Sequence, residues 1–271
     1  MDAVAQAPAL EFRHVTLSFD EKPVLSDISF QMDHGGTLIL LGVAGAGKSV
    51  LLKMVVGLLR PDSGEIVVDG ENMAPLPEAQ WRPVRKRMGM VFQEGALFDS
   101  LSVYENVAYP LREAGEKEEA NIERRVREVL GFVEMEPAID KMPSELSGGM
   151  RRRVSIARAI VNQPGLMLYD SPTAGLDPVT AHTITVLIAK LRDVGHVTSI
   201  VVTHRLQDGY ALANFIYAPD AKTLVPAPTN GTSGGARATR FLVLRDGGIY
   251  FQGSGQDLAQ SVDPYLHRFL A

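Results

Sequence analysis

The chain has 271 residues, enough for one large or two small domains with a hydrophobic core. At 45% hydrophobic and 22% charged residues it is neither disordered nor fibrous, and a net charge of −5 gives no long-range pull toward nucleic acid or anionic lipid. There is no cysteine, which excludes disulfides, zinc–thiolate sites and thiol catalysis and fits a reducing compartment.

Glu11–Met32 alternates apolar and polar residues around the turn Asp20-Glu21-Lys22-Pro23 and reads as antiparallel strands. Thr37–Leu41 is a near-continuous apolar run, the pattern of a strand buried on both faces. It leads through a glycine-rich turn into an almost wholly apolar helix over Lys48–Leu59, which Pro61-Asp62-Ser63-Gly64 stops. Glu65–Asp69 and Met88–Phe92 are further strands. Leu101–Pro143 is mainly helical: Ile122, Val126, Val129, Leu130 and Val133 recur at helical spacing, while Glu123, Arg124, Arg127 and Glu128 face out. Leu166–Tyr169 and Val197–Val202 are apolar strands on either side of a helix over Pro178–Leu191. Such alternation builds a mainly parallel sheet with helices on both faces. The Pro-, Gly-, Ser- and Thr-rich stretch Ala218–Arg240 is expected to be a mobile surface loop, and Phe241–Phe251, with Gly247-Gly248 at its centre, a closing hairpin. The apolar stretches around Thr37–Val43 and Val50–Leu59 are too short to span a bilayer, and Met1–Leu10 lacks the features of a secretory signal, so a cytoplasmic location is expected.

Gly42-Val43-Ala44-Gly45-Ala46-Gly47-Lys48-Ser49 fits G-x-x-x-x-G-K-[ST] at every fixed position, after a buried strand and opening a helix. The glycines let successive N–H groups point inward at phosphate oxygens, and the positive end of the helix strengthens the site. Lys48 supplies a point charge for β and γ phosphates, and the Ser49 hydroxyl is a hard ligand for Mg2+. The bland alternative is a glycine turn with an exposed lysine; strand, loop and helix together argue against it. Leu166-Met167-Leu168-Tyr169-Asp170 delivers a carboxylate at the C-terminal end of a strand, where parallel sheets bind ligands, so Asp170 is a candidate for holding Mg2+ rather than a mere strand end. The Arg151-Arg152-Arg153 run is read as a solvated helix face plus one structural arginine, and nucleic acid is not an expected partner.

Leu146-Ser147-Gly148-Gly149-Met150, shortly before the Asp170 strand, resembles the L-S-G-G-Q signature of the ATP-binding subunits of ABC transporters, and the resemblance runs nearly continuously from Leu10 to about Thr203. It implies a P-loop NTPase of ABC type: a mainly parallel α/β core with an antiparallel β subdomain and a helical subdomain. One domain would span 10–271, with the core roughly 10–95 and 163–271, the helical subdomain roughly 96–162, and the flexible loop 218–240. The resemblance further implies Phe19 stacking on adenine, Gln93 in the loop joining the two parts, Asp177 in an intersubunit loop, and His204 as a switch histidine. It makes Ser147, Gly148, Gly149 and Met150 a signature that meets ATP on a second copy in a head-to-tail dimer. Gln93 joins Ser49 and Asp170 as an implied Mg2+ ligand. Physically, the signature is again a helix N-terminus offering N–H groups to phosphate. Each position also has a plain alternative, Ser147 as an ordinary N-cap, Phe19 as core, Gln93 as a strand end, and His204 as a satisfied polar group.

Two positions depart from the family. After Asp170 the family nearly always places a glutamate that positions the attacking water; here it is Ser171, a poor base at neutral pH. ATP binding is expected to survive, with hydrolysis to ADP and phosphate slow or dependent on His204, Glu94 or another subunit. Met150 replaces the signature glutamine. Together with Gly95-Ala96-Leu97-Phe98-Asp99-Ser100-Leu101 and Glu105-Asn106-Val107-Ala108-Tyr109-Pro110-Leu111-Arg112, it is similar to the ATPases of Mce/Mla-type lipid transport systems. That resemblance implies an integral membrane permease of the MlaE type, an Mce-type lipid-binding protein in the same system, and a peripheral position on the inner face of the cytoplasmic membrane. The competing readings are an ABC-type ATP switch that transports nothing and the ATPase of a polar-solute importer.

Overall fold

The computed structural model describes residues 7–228 and 239–270. Strands β1 (Leu10–Phe19), β2 (Lys22–Met32), β4 (Ser63–Val68) and β5 (Glu71–Asn72) form an antiparallel sheet in the order β2-β1-β4-β5. Asp20 and Glu21 take φ of 48° and 63°, the left-handed pair that reverses a chain between twisted strands.

The second sheet contains β3 (Thr37–Gly42), β6 (Met88–Val91), β7 (Leu166–Asp170), β8 (Thr198–Val202), β11 (Thr239–Arg245) and β12 (Gly248–Gly253), in the order β12-β11-β3-β8-β7-β6. All neighbours run parallel except the β11–β12 hairpin. The apolar runs have a simple cause: alternate side chains enter two different cores. Ile39, Leu41, Met167, Tyr169 and Val201 face a core shared with the helices, whereas Leu38, Leu40, Leu166, Leu168 and Ile200 face one shared with the antiparallel sheet.

Helix α1 (Lys48–Val55) follows β3, and α2 (Glu78–Arg85) precedes β6. Three helices, α3 (Val103–Glu113), α4 (Glu119–Phe132) and α5 (Gly148–Ile160), lie between β6 and β7, as the helical spacing predicts. Then come α6 (Pro178–Gly195), α7 (Leu206–Asn214), α8 (Gly255–Gln260) and α9 (Pro264–Leu270). No helix of the described residues is long and apolar enough to cross a membrane.

Three elements differ from the sequence reading. The first apolar helix stops at Val55 rather than Leu59, because Gly57 adopts φ 67°; Leu58 N–H then bonds Lys53 O at 2.8 Å and Gly57 N–H bonds Met54 O at 3.0 Å. The stretch 218–240 is not all loop: β9 (Phe215–Ala218) pairs antiparallel with β10 (Thr223–Pro226), and 229–238 lies outside the described residues. Helix α2 goes unannounced by the pattern because Pro83 lies inside it. It is held by Arg85, which donates to Val56 O at 2.8 Å and Gly57 O at 3.1 Å.

The tail is clasped to the sheet. Tyr250 Oη donates to Asp263 at 2.7 Å, the Tyr250 and Tyr265 rings meet edge-on at 4.9 Å, and the Arg245 guanidinium lies 4.2 Å from the Tyr265 centroid.

A Cβ on Gly57 would lie 2.4 Å from the ring of Trp81, the single tryptophan of the chain. Gly57→Ala is therefore expected to destabilise the fold by about 2–4 kcal/mol, combining left-handed strain with overpacking. Urea unfolding followed by Trp81 fluorescence measures this directly.

Candidate functional site

The C-terminal ends of β3, β8, β7 and β6, neighbours in the sheet, bring the chemistry together. There a cavity of about 240 Å³ is lined by Ala44, Gly45, Gly47, Lys48, Ser49, Gln93, Asp170, Ser171 and His204, with Val24, Val50 and Val202 as apolar wall. This is the edge where parallel sheets bind ligands.

The loop after β3 is built to hold an anion. Gly47 is the N-cap of α1 at φ 92°, no side chain caps the helix, and its first turn contains no acid. The first N–H groups of α1 therefore keep their positive potential for an external acceptor. Gly42 ends β3, and Ala46 N–H closes a turn on Val43 O at 3.2 Å. Lys48 is buried, and its Nζ donates to Gly42 O at 2.7 Å and Val43 O at 2.8 Å. Burial lowers the Lys48 pKa and the Asp170 carboxylate opposes that shift. The ammonium is thus held by neutral carbonyls alone, and its charge is left for an anion.

Ser171 follows Asp170 with its residue buried and φ 48°, its N–H donating to Val202 O at 3.0 Å. His204 has a lowered pKa, through partial burial first and then the nearby Lys48, with Asp170 pulling the other way. Its imidazole is therefore neutral at pH 7 and available as an acceptor. The Ser49 hydroxyl, the Gln93 amide and the Asp170 carboxylate are all hard oxygen donors on this one cavity, a set that fits Mg2+.

The remaining predicted residues lie elsewhere. Ser147 caps α5, accepting from Met150 N–H at 3.3 Å, and Ser147 and Gly148 are exposed. Gly149 is where α5 meets α6: an added Cβ would lie 2.2 Å from Thr180 Cγ2. Asp177 caps α6, accepting from Val179 and Thr180 N–H groups at 3.0 Å each, and those bonds, led by Thr180, lower its pKa. Met150 packs half-buried against the helical core. Phe19 is 44% exposed at the end of β1. None of these residues lines the cavity that holds Lys48. Glu94, the other acid considered for water activation, is exposed and does not line it either.

Motif reading missed two tethers behind the cavity. Thr173 Oγ1 donates to the buried Asp208 at 2.5 Å, tying the segment after Ser171 to the helix after His204. Arg152, the structural arginine of its run, donates to Phe92 O. The only sequence signal for either is a polar residue at an apolar helical position. Phe92 also lines a larger groove of about 610 Å³, together with Arg82, Phe98, Tyr109 and Arg158, and the three rings are 38%, 43% and 42% exposed.

A family model described as "ABC transporter" matches residues 25–174. The chain is 35% identical over 257 residues to the intermembrane phospholipid transport system ATP-binding protein MlaF of Haemophilus influenzae, covering 93% of this chain and 97% of that protein. Against MlaF of Escherichia coli strain K12 it is 34% identical over 264 residues, 97% of this chain and 89% of the relative. A methionine import ATP-binding protein, MetN of Corynebacterium jeikeium, is 40% identical over 219 residues but matches only 79% of this chain and 59% of its own length. Among solved structures, an ATP-binding cassette in a dimeric post-hydrolysis state bound to ADP and Pi superposes with TM-score 0.74 at 28% identity, covering 90% of this chain and 98% of that one.

Two outcomes follow from the geometry. Titrated by NMR without nucleotide, His204 is expected below the ordinary histidine value; Lys48→Ala should raise its pKa by removing a cation, and Asp170→Asn should lower it by removing an anion. Gly149→Ala should lower the thermal midpoint by several degrees, on the order of 1–3 kcal/mol of overpacking, and Thr180→Ser in the same chain should restore most of it by deleting the clashing methyl.

Proposed function

We propose, because this chain belongs to the ABC transporter family, that it is the ATP-hydrolysing, energy-coupling subunit of a phospholipid transport system acting on a separate membrane permease. The observation that carries the reading is the convergence of the phosphate loop, Gln93, Asp170 and His204 on one cavity, while the Ser147–Gly149 turn lies outside it with Ser147 and Gly148 exposed. A chain with those two half-sites completes neither alone, and a head-to-tail dimer completes both. The dimeric cassette bound to ADP and Pi supports this arrangement. Coverage favours phospholipid over polar-solute transport, since the MlaF relatives match nearly end to end.

In this reading residues 10–271 act as one ATP-binding domain. Phe19 stacks on adenine, the N–H groups of 44–49 take the phosphates, and Lys48 exchanges its loop carbonyls for β and γ oxygens. Gly42, Val43 and Ala46 shape that loop. Ser49, Gln93 and Asp170 would hold Mg2+, which would supply positive charge to offset that of the phosphates. Ser147, Gly148, Gly149 and Met150 of one copy, with Asp177, face the γ phosphate on the other. ATP thereby favours the closed pair through its differential affinity for that state, and hydrolysis resets it.

Ser171 keeps turnover low in this reading, because its hydroxyl neither accepts a proton readily nor orients water by charge. Of the groups considered as substitutes, His204 alone lines the cavity, and as a neutral imidazole it accepts a hydrogen bond from water. The groove with its exposed aromatic rings is the surface for the permease, which sets the chain on the inner face of the cytoplasmic membrane, in a system with an Mce-type lipid-binding protein.

Lys48→Ala should weaken Mg-ATP binding at least about tenfold and abolish nucleotide-induced dimerisation. Undiminished affinity overturns the reading. Ser171→Glu should raise steady-state ATPase by about a hundredfold, the lower range of general-base effects; a wild type already as fast refutes the role given to Ser171. Affinity purification should bring down an integral membrane subunit.

A further inference from the structure

Strand β6 ends at Val91, and the chain turns at once through Phe92-Gln93-Glu94-Gly95, closed by Gly95 N–H on Phe92 O at 2.9 Å. Gln93, at the tip, lines the cavity with Lys48. Both ends of the turn are held by guanidinium groups of α5. Arg152 Nη1 donates to Phe92 O, while Arg158 donates through Nη2 to Gly95 O at 2.9 Å and through Nη1 to Ala96 O at 2.8 Å. The turn lies directly on the helix: a Cβ on Gly95 would sit 3.5 Å from Arg151 O and 3.6 Å from Ser155 Cβ.

These arginines are costly. Neither forms a salt bridge among the described residues, and Arg152 Nε is buried without an acceptor. Burial lowers the pKa of both, offset at Arg152 by the charge of Glu94 in the turn itself. A well-packed Met or Leu would fill such sites without desolvating a charge. What an aliphatic side chain lacks is a rigid fork of donors that grips carbonyl oxygens at set positions.

The chain after the turn is bound to the same subdomain. Asn106 of α3, fully buried, accepts from Phe98 N–H and donates to the carbonyls of Phe98, Leu101 and Ser102. At its other end α5 is seated on β6, where a Cβ on Gly89 would come within 2.7 Å of Ala159 O. Helix α5 is thus anchored at its last turn, carries the Gln93 turn along its length, and ends in Ser147–Gly149, where Ser147 and Gly148 are exposed and Gly149 packs on Thr180 of α6.

We propose that Arg152 and Arg158 are positioning residues that fasten the Gln93 turn to α5, so that Gln93 in one nucleotide cavity and the Ser147–Gly149 turn that serves the other move as one body. Phe92, Ala96, Phe98 and Arg158 also line the large groove, so whatever seats there bears on the same body. What this motion accomplishes rests on the transport reading above; the fastening does not.

The test uses Arg152→Met and Arg158→Met, with lysine at each position as the conservative variant. Amide hydrogen exchange at residues 93–97 should accelerate about tenfold in the methionine variants, the factor for one charge-assisted hydrogen bond, with α5 and β6 unchanged. In the complex with its permease, ATPase stimulation over the isolated chain should fall about tenfold while Mg-ATP affinity stays within about twofold, and Arg158→Lys should keep at least half of the stimulation. Unchanged exchange at 93–97, stimulation retained, or a rate loss matched by loss of ATP affinity each overturns the proposal. Should the methionine variants fail to fold, the lysine variants carry the same readouts with smaller shifts. The exchange measurement needs neither hydrolysis nor a permease, so failure of the transport reading and failure of the clamp give different results.

Discussion

One ammonium group organises this molecule. Lys48 Nζ is buried within its own loop, held by the carbonyls of Gly42 and Val43 and, among the described residues, by no carboxylate at contact distance. Neutral acceptors satisfy its hydrogen bonds without cancelling its charge, so that charge acts on His204, whose pKa it lowers after burial does. The fully buried β3 exists, in effect, to fix that point: its two faces feed two cores, and its last residue begins the loop.

Three helix N-termini near the ends of the sheet are treated differently, and the differences sort their tasks. The end of α1 has no side-chain cap, at that of α5 Met150 N–H donates to Ser147 Oγ over 3.3 Å, and at that of α6 Asp177 accepts from two N–H groups. An uncapped end keeps its donors for a ligand, whereas a doubly capped one offers a rigid footing. Gly149 brings the second against the third, so the Ser147 turn and the Asp177 turn cannot shift independently.

Much of this was legible in the sequence for a physical reason. Strands buried on both faces read as unbroken apolar runs, and the phosphate loop and Asp170 follow local patterns, so the parallel core and part of its cavity could be read along the chain, whereas Gln93 and His204 came only with the family resemblance. What escaped depends on contacts distant in sequence or on single dihedral angles. The end of α1 is set by the left-handed Gly57, the pairing of Phe215–Ala218 with Thr223–Pro226 runs into the Pro-, Gly-, Ser- and Thr-rich stretch that reads as loop, and α2 is masked by Pro83. Arg151-Arg152-Arg153 reads as a solvated face plus one structural arginine; only in three dimensions is that arginine Arg152, meeting a carbonyl 60 residues away. The replacement at Ser171 is visible in one letter, but its φ of 48° and its backbone bond to Val202 are not.

The aromatic clasp around Arg245 has a further consequence. Strand β12 is the outermost of the six-stranded sheet, and an outermost strand presents unpaired backbone groups that recruit other chains. Tyr250, Asp263 and Tyr265 pin the closing helix beside it with an edge-on ring contact, an ion-over-ring contact and a hydrogen bond. The closing helix is therefore held beside a margin that would otherwise be open to pairing with another chain.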